Sequence, residues 1–275
     1  MTRRIGSVAL PNGTTLTYVE QGAPSGVPLI LLHGYTDSWR SFEPLLMHLP
    51  PSFHVYAPTQ RGHGDSDRPA VGYAARDFAG DLKAFMDELG LKRAVIAGHS
   101  LGAQVAQRFA IDHPRRVLAL VLIGGFATLG DSEVVEELWA SVVSRLRDPV
   151  DPDFVRAFQE STLAARVPPA FLDTVVAESL KVPARVWRAA LEGQRRTDLT
   201  GELARIDAPT LILWGGRDEI SPRSAQYVLA TSIPDADFLL YNGAGHAVHW
   251  EQPRRVATDL RTFVESSLMA DAFAG

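Results

Sequence analysis

The stretch Val95-Ile96-Ala97-Gly98-His99-Ser100-Leu101-Gly102-Ala103 constrains this chain more than any other. A short apolar run with β-branched residues enters Gly-His-Ser-Leu-Gly, and a helical pattern follows at once. A strand that becomes a helix within so few residues needs glycine where the two elements pass, so Gly98 and Gly102 read as close-approach positions. The tight turn strains the serine backbone and holds its hydroxyl clear, at the carboxyl end of a central strand. The Leu101 amide, at the start of the new helix, then points toward any negative charge that forms beside Ser100. A bare Gly-x-Ser-x-Gly also describes ordinary glycine-rich turns. The flanking strand and helix set this one apart.

Around that turn the chain alternates strand and helix. Strands are expected at Ser7–Leu10, Thr15–Glu20, Leu29–Leu32, His54–Ala57, Arg93–Ala97, Val117–Ile123, Thr210–Trp214 and Asp237–Tyr241. The first two are joined by Pro11-Asn12-Gly13, a hairpin signal. Several of the others are continuous apolar runs, as in strands buried on both faces. Helices are expected at Trp39–Leu49, Ala74–Leu89, Gln104–His113, Ser221–Thr231 and Arg254–Leu268, the second with Phe78, Leu82, Phe85 and Leu89 at helical spacing. This order predicts an α/β architecture with a parallel sheet covered by helices on both faces. From about Phe126 to Asp207 no strong strand pattern occurs. Helical stretches around Ser132–Arg147, Pro152–Ala165, Pro169–Lys181 and Pro183–Gln194 stand there instead. The expected organisation is therefore a core of residues 1–125 and 208–275, with residues 126–207 as an α-helical cap over the carboxyl ends of the strands.

A serine hydroxyl is a poor nucleophile at neutral pH and needs a base within hydrogen-bond reach. Of the 8 histidines, His246 lies in the small-residue loop Asn242-Gly243-Ala244-Gly245-His246 after the last strand. Open α/β sheets assemble their sites on that side. His249, just before Trp250-Glu251-Gln252-Pro253, is the near competitor and otherwise a structural residue of the final helix. His99 has its direction set by the turn, so it reads as packing beside the site. The base in turn needs a carboxylate to hold its tautomer. Asp218, in Trp214-Gly215-Gly216-Arg217-Asp218-Glu219, is the first choice, with Glu219 and Asp131 as alternatives. A second oxyanion donor is expected from the loop after Leu29–Leu32, at the Tyr35 amide. His33 reads as a residue that shapes this loop. Arg61, His63, Asp65 and Asp67 read as a self-bonded loop, and no metal site is expected.

Taken in order, Leu32-His33-Gly34-Tyr35, Arg61-Gly62-His63-Gly64-Asp65-Ser66, Gly98-His99-Ser100-Leu101-Gly102, Gly215-Gly216-Arg217-Asp218 and Gly245-His246 make the chain resemble the α/β-hydrolase superfamily over nearly its whole length. The resemblance implies an eight-stranded, mostly parallel sheet, a helical cap after the sixth strand, a triad of Ser100, Asp218 and His246, oxyanion donors at the Tyr35 and Leu101 amides, and no cofactor. Relatives with an aspartate nucleophile open epoxides or displace halide. Serine at position 100 implies acyl transfer, as in an esterase or lactonase working through an acyl-enzyme. Carbon–carbon bond hydrolases and cofactor-free haloperoxidases or perhydrolases share the serine. A small-ligand receptor using the same pocket is the non-enzymatic alternative. Candidate pocket residues are His99, Phe126, Trp139, Phe158, Trp187 and Ile220.

Composition narrows the partners. With no cysteine, disulfides, thiolate metal sites and cysteine nucleophiles are excluded. A net charge of -5 disfavours nucleic acid and anionic membrane surfaces. The N-terminal Arg3-Arg4 has no apolar stretch behind it, and the longest apolar run, Val117 to Ala127, is interrupted by glycine and too short to cross a bilayer. The expectation is a cytoplasmic enzyme, monomer or homodimer, that acts on a small-molecule ester or lactone.

Overall fold

The computed structural model describes residues 2–130 and 132–274, with side chains through residue 270. Its organising element is a sheet in the order β1-β2-β4-β3-β5-β6-β7-β8. The strands are β1 (Arg3–Ala9), β2 (Thr15–Gly22), β3 (Val27–Leu32), β4 (Phe53–Pro58), β5 (Ala94–His99), β6 (Val117–Ile123), β7 (Thr210–Gly215) and β8 (Ala236–Tyr241). β1 and β2 pair antiparallel, and β2 runs antiparallel to β4. Every other pairing is parallel.

The period of two along each strand divides the core into faces. Ile30, Leu32, Ile96, Leu120, Leu122 and Ile212 point to one side, where α2 (Ala75–Glu88), α3 (Leu101–Asp112) and α8 (Arg223–Ser232) bury Phe85, Phe109 and Leu229. Leu29, Leu31, Val95, Ala97, Val121 and Leu213 point to the other, where α1 (Glu43–Leu46) and α10 (Pro253–Ala274) bury Leu45, Val256, Leu260 and Val264. Both faces are covered, which is why the central strands are apolar at consecutive positions.

Between β6 and β7 lie α4 (Glu133–Ser141), α5 (Pro152–Ser161), α6 (Pro169–Leu180) and α7 (Ala184–Arg196). Among the described residues of this insertion the only β contact is an isolated bridge between Thr128 and Asp198. The insertion is tied to loops at the carboxyl ends of the strands. The Tyr35 hydroxyl donates to the Trp187 carbonyl at 2.6 Å, and the His246 amide donates to the Thr162 carbonyl at 2.9 Å. The remaining helix, α9 (Val248–Glu251), precedes α10.

Three expectations need adjustment. β1 begins at Arg3, before Ser7, because Arg3 to Gly6 find ladder partners in Gln21 to Tyr18. Trp39–Leu49 is not one helix but a 3₁₀ turn, Trp39–Phe42, followed by the single turn α1. Ser38 Oγ accepts from the Arg40 amide at 3.2 Å, and i→i+3 bonds from Ser41 to Ser38 and from His48 to Leu45 tighten both ends. Ser132–Arg147 breaks at Val142 into α4 and a 3₁₀ turn, Val143–Arg145.

Candidate active site

Ser100 stands between β5 and α3 with φ 53° and ψ −115°, a conformation that non-glycine residues rarely adopt. Its amide donates to the Ile123 carbonyl at 3.0 Å, and its carbonyl accepts the amides of Ala103 and Gln104 at 2.9 and 3.1 Å. The strained residue is thus held by the end of β6 on one side and the first turn of α3 on the other. A Cβ at Gly98 would lie 2.2 Å from the Gly102 carbonyl oxygen, and one at Gly102 would lie 2.1 Å from that of Leu32. Glycine at both positions is what lets the turn close. Leu101 opens α3, where the first amides have no intrahelical acceptor.

His246 sits in the loop after β8. Its Nδ1 lies 2.8 Å from Asp218 Oδ2. The other carboxylate oxygen, Oδ1, accepts the amides of Ile220 and Ser221, each at 2.9 Å. An ionised carboxylate only accepts, so Nδ1 donates and Nε2 carries the lone pair of the neutral ring. That Nε2 is buried and has no hydrogen-bond partner among the described residues. Gly124, with φ 54°, leaves room for the ring: a Cβ there would lie 3.0 Å from His246 Nδ1. Glu219 is exposed. Asp131, the other alternative acid, lies outside the described residues.

Ser100 and His246 open into the same cavity, of about 280 Å³. Tyr35, His99, Phe158 and Ile220 also line it, as do Leu129, Val135, Leu138, Phe154 and Leu191. Phe126, Trp139 and Trp187 do not. Phe126 and Trp187 are fully buried in the core, the latter with its ring against Tyr35, Phe154 and Phe158. Trp139 instead stacks under the Arg195 guanidinium. An aromatic residue in an insertion reveals nothing about which side of its helix faces the ligand.

His33, His63, His99 and His249 are held by loop contacts and packing. His33 Nδ1 donates to the Gly34 carbonyl at 2.8 Å, and its Nε2 accepts the Gln60 amide at 2.8 Å, which fixes the tautomer and the course of the loop. His249 packs on Phe42 and His99, and burial lowers its pKa to about 3. His99 Nε2 lies 3.3 Å from the His246 carbonyl, and burial with neighbouring His249 and His246 keeps its ring neutral. In the 61–67 loop, Arg61 pairs with Asp81 and His63 Nδ1 bonds the Arg61 carbonyl at 2.8 Å. Among the described residues no group of three or more acidic or histidine side chains is arranged to hold a metal. No described helix is long and apolar enough to cross a membrane.

One residue at the site escaped the sequence reading. Asp37 is buried, lines the cavity and has its pKa raised by burial to about 7. The preceding Thr36 is the only other described non-glycine residue with positive φ, at 66°.

An eight-stranded, mostly parallel sheet in this order, with helices on both faces, defines the α/β-hydrolase fold. The family model for the alpha/beta hydrolase fold matches residues 27–253, and the chain belongs to that family. Over 268 residues it is 30% identical to a 2-(acetamidomethylene)succinate hydrolase of Mesorhizobium japonicum, covering 92% of each chain. Over 278 residues it is 28% identical to a non-heme chloroperoxidase of Streptomyces lividans, covering 95% of this chain and all of that one. Among solved structures, it is similar to a thermophilic esterase from Thermogutta terrifontis, with TM-score 0.84 and 28% identity over 96% of this chain and 99% of that one.

Proposed function

We propose that this protein is a serine hydrolase that cleaves a small to medium carboxylic ester or lactone through an acyl-enzyme. The observation that carries this reading is that a strained Ser100 and a carboxylate-held His246 open into one apolar cavity. Ser100 Oγ attacks the ester carbonyl carbon while His246 Nε2, whose lone pair is fixed by the Nδ1–Asp218 bond, takes the hydroxyl proton. The Tyr35 and Leu101 amides donate to the oxyanion of the tetrahedral intermediate. As that intermediate collapses, the carbon–oxygen bond to the alcohol breaks and His246 returns the proton to the leaving oxygen. Water then attacks the acyl-enzyme by the same route in reverse. Asp218 stabilises the imidazolium formed in both halves.

In this reading residues 126–207 act as a cap. Its residues supply most of the cavity's apolar surface, and it is anchored to the oxyanion loop through Tyr35 and to the histidine loop through Thr162. Excluding water strengthens the electrostatic interactions within the cavity. Ser100→Ala is expected to lower turnover of p-nitrophenyl butyrate by on the order of 10⁴ or more with folding intact. Near-native turnover in that variant would refute the proposal.

A further inference from the structure

The cavity has one carboxyl group, Asp37, and no lysine or arginine among its lining residues. Asp37 is 2% exposed. Its Oδ1 accepts from Gln159 Nε2 at 3.2 Å, and Gln159 is itself fixed by Ser179 Oγ at 2.7 Å. Its Oδ2 lies 4.0 Å from His99 Nδ1. That neighbour does not neutralise it. The His246 carbonyl can only accept, so the proton of the neutral His99 ring is on Nε2 and Nδ1 presents a lone pair. Nδ1 has no hydrogen-bond partner among the described residues. The cations of the 3₁₀ turn and of the C-terminal end of α6 are engaged elsewhere, Arg40 with Glu43 and Glu178, and Lys181, just past α6, with Glu178 and Asp65.

We infer that Asp37 makes this site selective for uncharged esters, because its carboxylate repels a substrate that carries a carboxylate of its own. This rests on the ester-hydrolase reading and adds the substrate's charge to it. Two like charges about 6 Å apart, at the effective dielectric that suits protein interiors, repel enough for about a 10- to 100-fold difference in kcat/KM.

The selectivity is tied to pH. Above the raised Asp37 pKa of about 7 the group is charged and repels; below it the group is neutral and the discrimination relaxes. The titratable groups packed around it are His99, His249 behind it, and His246. Burial keeps the first two neutral. His246 serves both esters alike and cancels in a ratio of two. Glu178, on α6, stays within its pairs with Arg40 and Lys181.

The test compares diethyl succinate with monoethyl succinate, which share a skeleton and differ in charge, by ethanol release. For the wild-type protein the ratio of kcat/KM, neutral over anionic, is expected to fall about tenfold from pH 8.5 to pH 5.5. Asp37→Asn, which keeps the Gln159 contact, is expected to bring the ratio at pH 8.5 down by a similar factor and to flatten its pH dependence. Should neither ester turn over, the rates of Ser100 modification by a neutral alkylphosphonate ester and its carboxylate-bearing analogue supply the same ratio. A ratio that moves less than twofold with pH and with Asp37→Asn, while Ser100→Ala abolishes the reaction, overturns the role of Asp37 alone. Ester turnover that survives Ser100→Ala overturns the hydrolase reading and this inference with it.

Discussion

Asp218→Asn is isosteric yet should silence the site. Two backbone amides, those of Ile220 and Ser221, face Oδ1 at 2.9 Å each, so the amide oxygen of asparagine must take that position. Its NH₂ then occupies the place of Oδ2, 2.8 Å from His246 Nδ1. Two donors would meet there unless the histidine moves its proton from Nδ1 to Nε2. An Nε2–H cannot accept the proton of Ser100. The expected loss in kcat is about 10⁴-fold, or about 5 kcal/mol of transition-state stabilisation. Initial rates with p-nitrophenyl butyrate at pH 8 measure it, and thermal melting checks the fold. The melting temperature should stay close to wild type, because both backbone amides keep an acceptor. Asp218→Ala should also melt earlier, since each orphaned amide costs about 1–3 kcal/mol. Asp218→Asn activity within tenfold of wild type would refute the idea that this carboxylate sets the histidine tautomer.

Three further outcomes follow from packing and titration. Gly102→Ala puts a Cβ 2.1 Å from the Leu32 carbonyl oxygen and should cost about 3 kcal/mol or more, read from the urea midpoint. Phe109→Ala empties a fully buried site between α3 and the sheet and should cost about 3–5 kcal/mol in the same assay. His249, with a folded pKa of about 3, stays neutral while the unfolded chain takes up a proton below its ordinary value of 6.5. Its contribution to stability is therefore complete above pH 6.5 and is lost as the pH falls toward about 3. Between pH 6.5 and 5 that loss is about 2 kcal/mol, and His249→Leu should show a correspondingly smaller drop in its urea midpoint.

Much of the architecture could be read directly because burial on both faces leaves a simple mark. β3, β5, β6 and β7 are apolar at nearly every position, and the glycines at 98 and 102 flank a serine just where an apolar strand gives way to a helical pattern. The Asp218–His246 pairing was legible because both residues sit in glycine-rich loops after successive strands. What could not be read depends on contacts distant in sequence. The polar start of β1 is set by Gln21 and its neighbours on β2. Asp37 looks like a solvated loop residue until Gln159, 122 positions away, closes over it. Phe126, Trp139 and Trp187 carry the same apolar signal as Phe158, and only tertiary packing separates core from cavity wall. The break in 39–49 reflects local hydrogen bonding at Ser38, which hydrophobic spacing does not record.

Whether Ser100 is the nucleophile with His246 as its base is read by intact-mass analysis and peptide mapping after reaction with a fluorophosphonate, which phosphonylates an activated serine. A single adduct is expected on the peptide containing Ser100, formed slowly in His246→Ala and not at all in Ser100→Ala. An unmodified Ser100 in folded protein that still hydrolyses esters, or an adduct mapped to another residue, would contradict it.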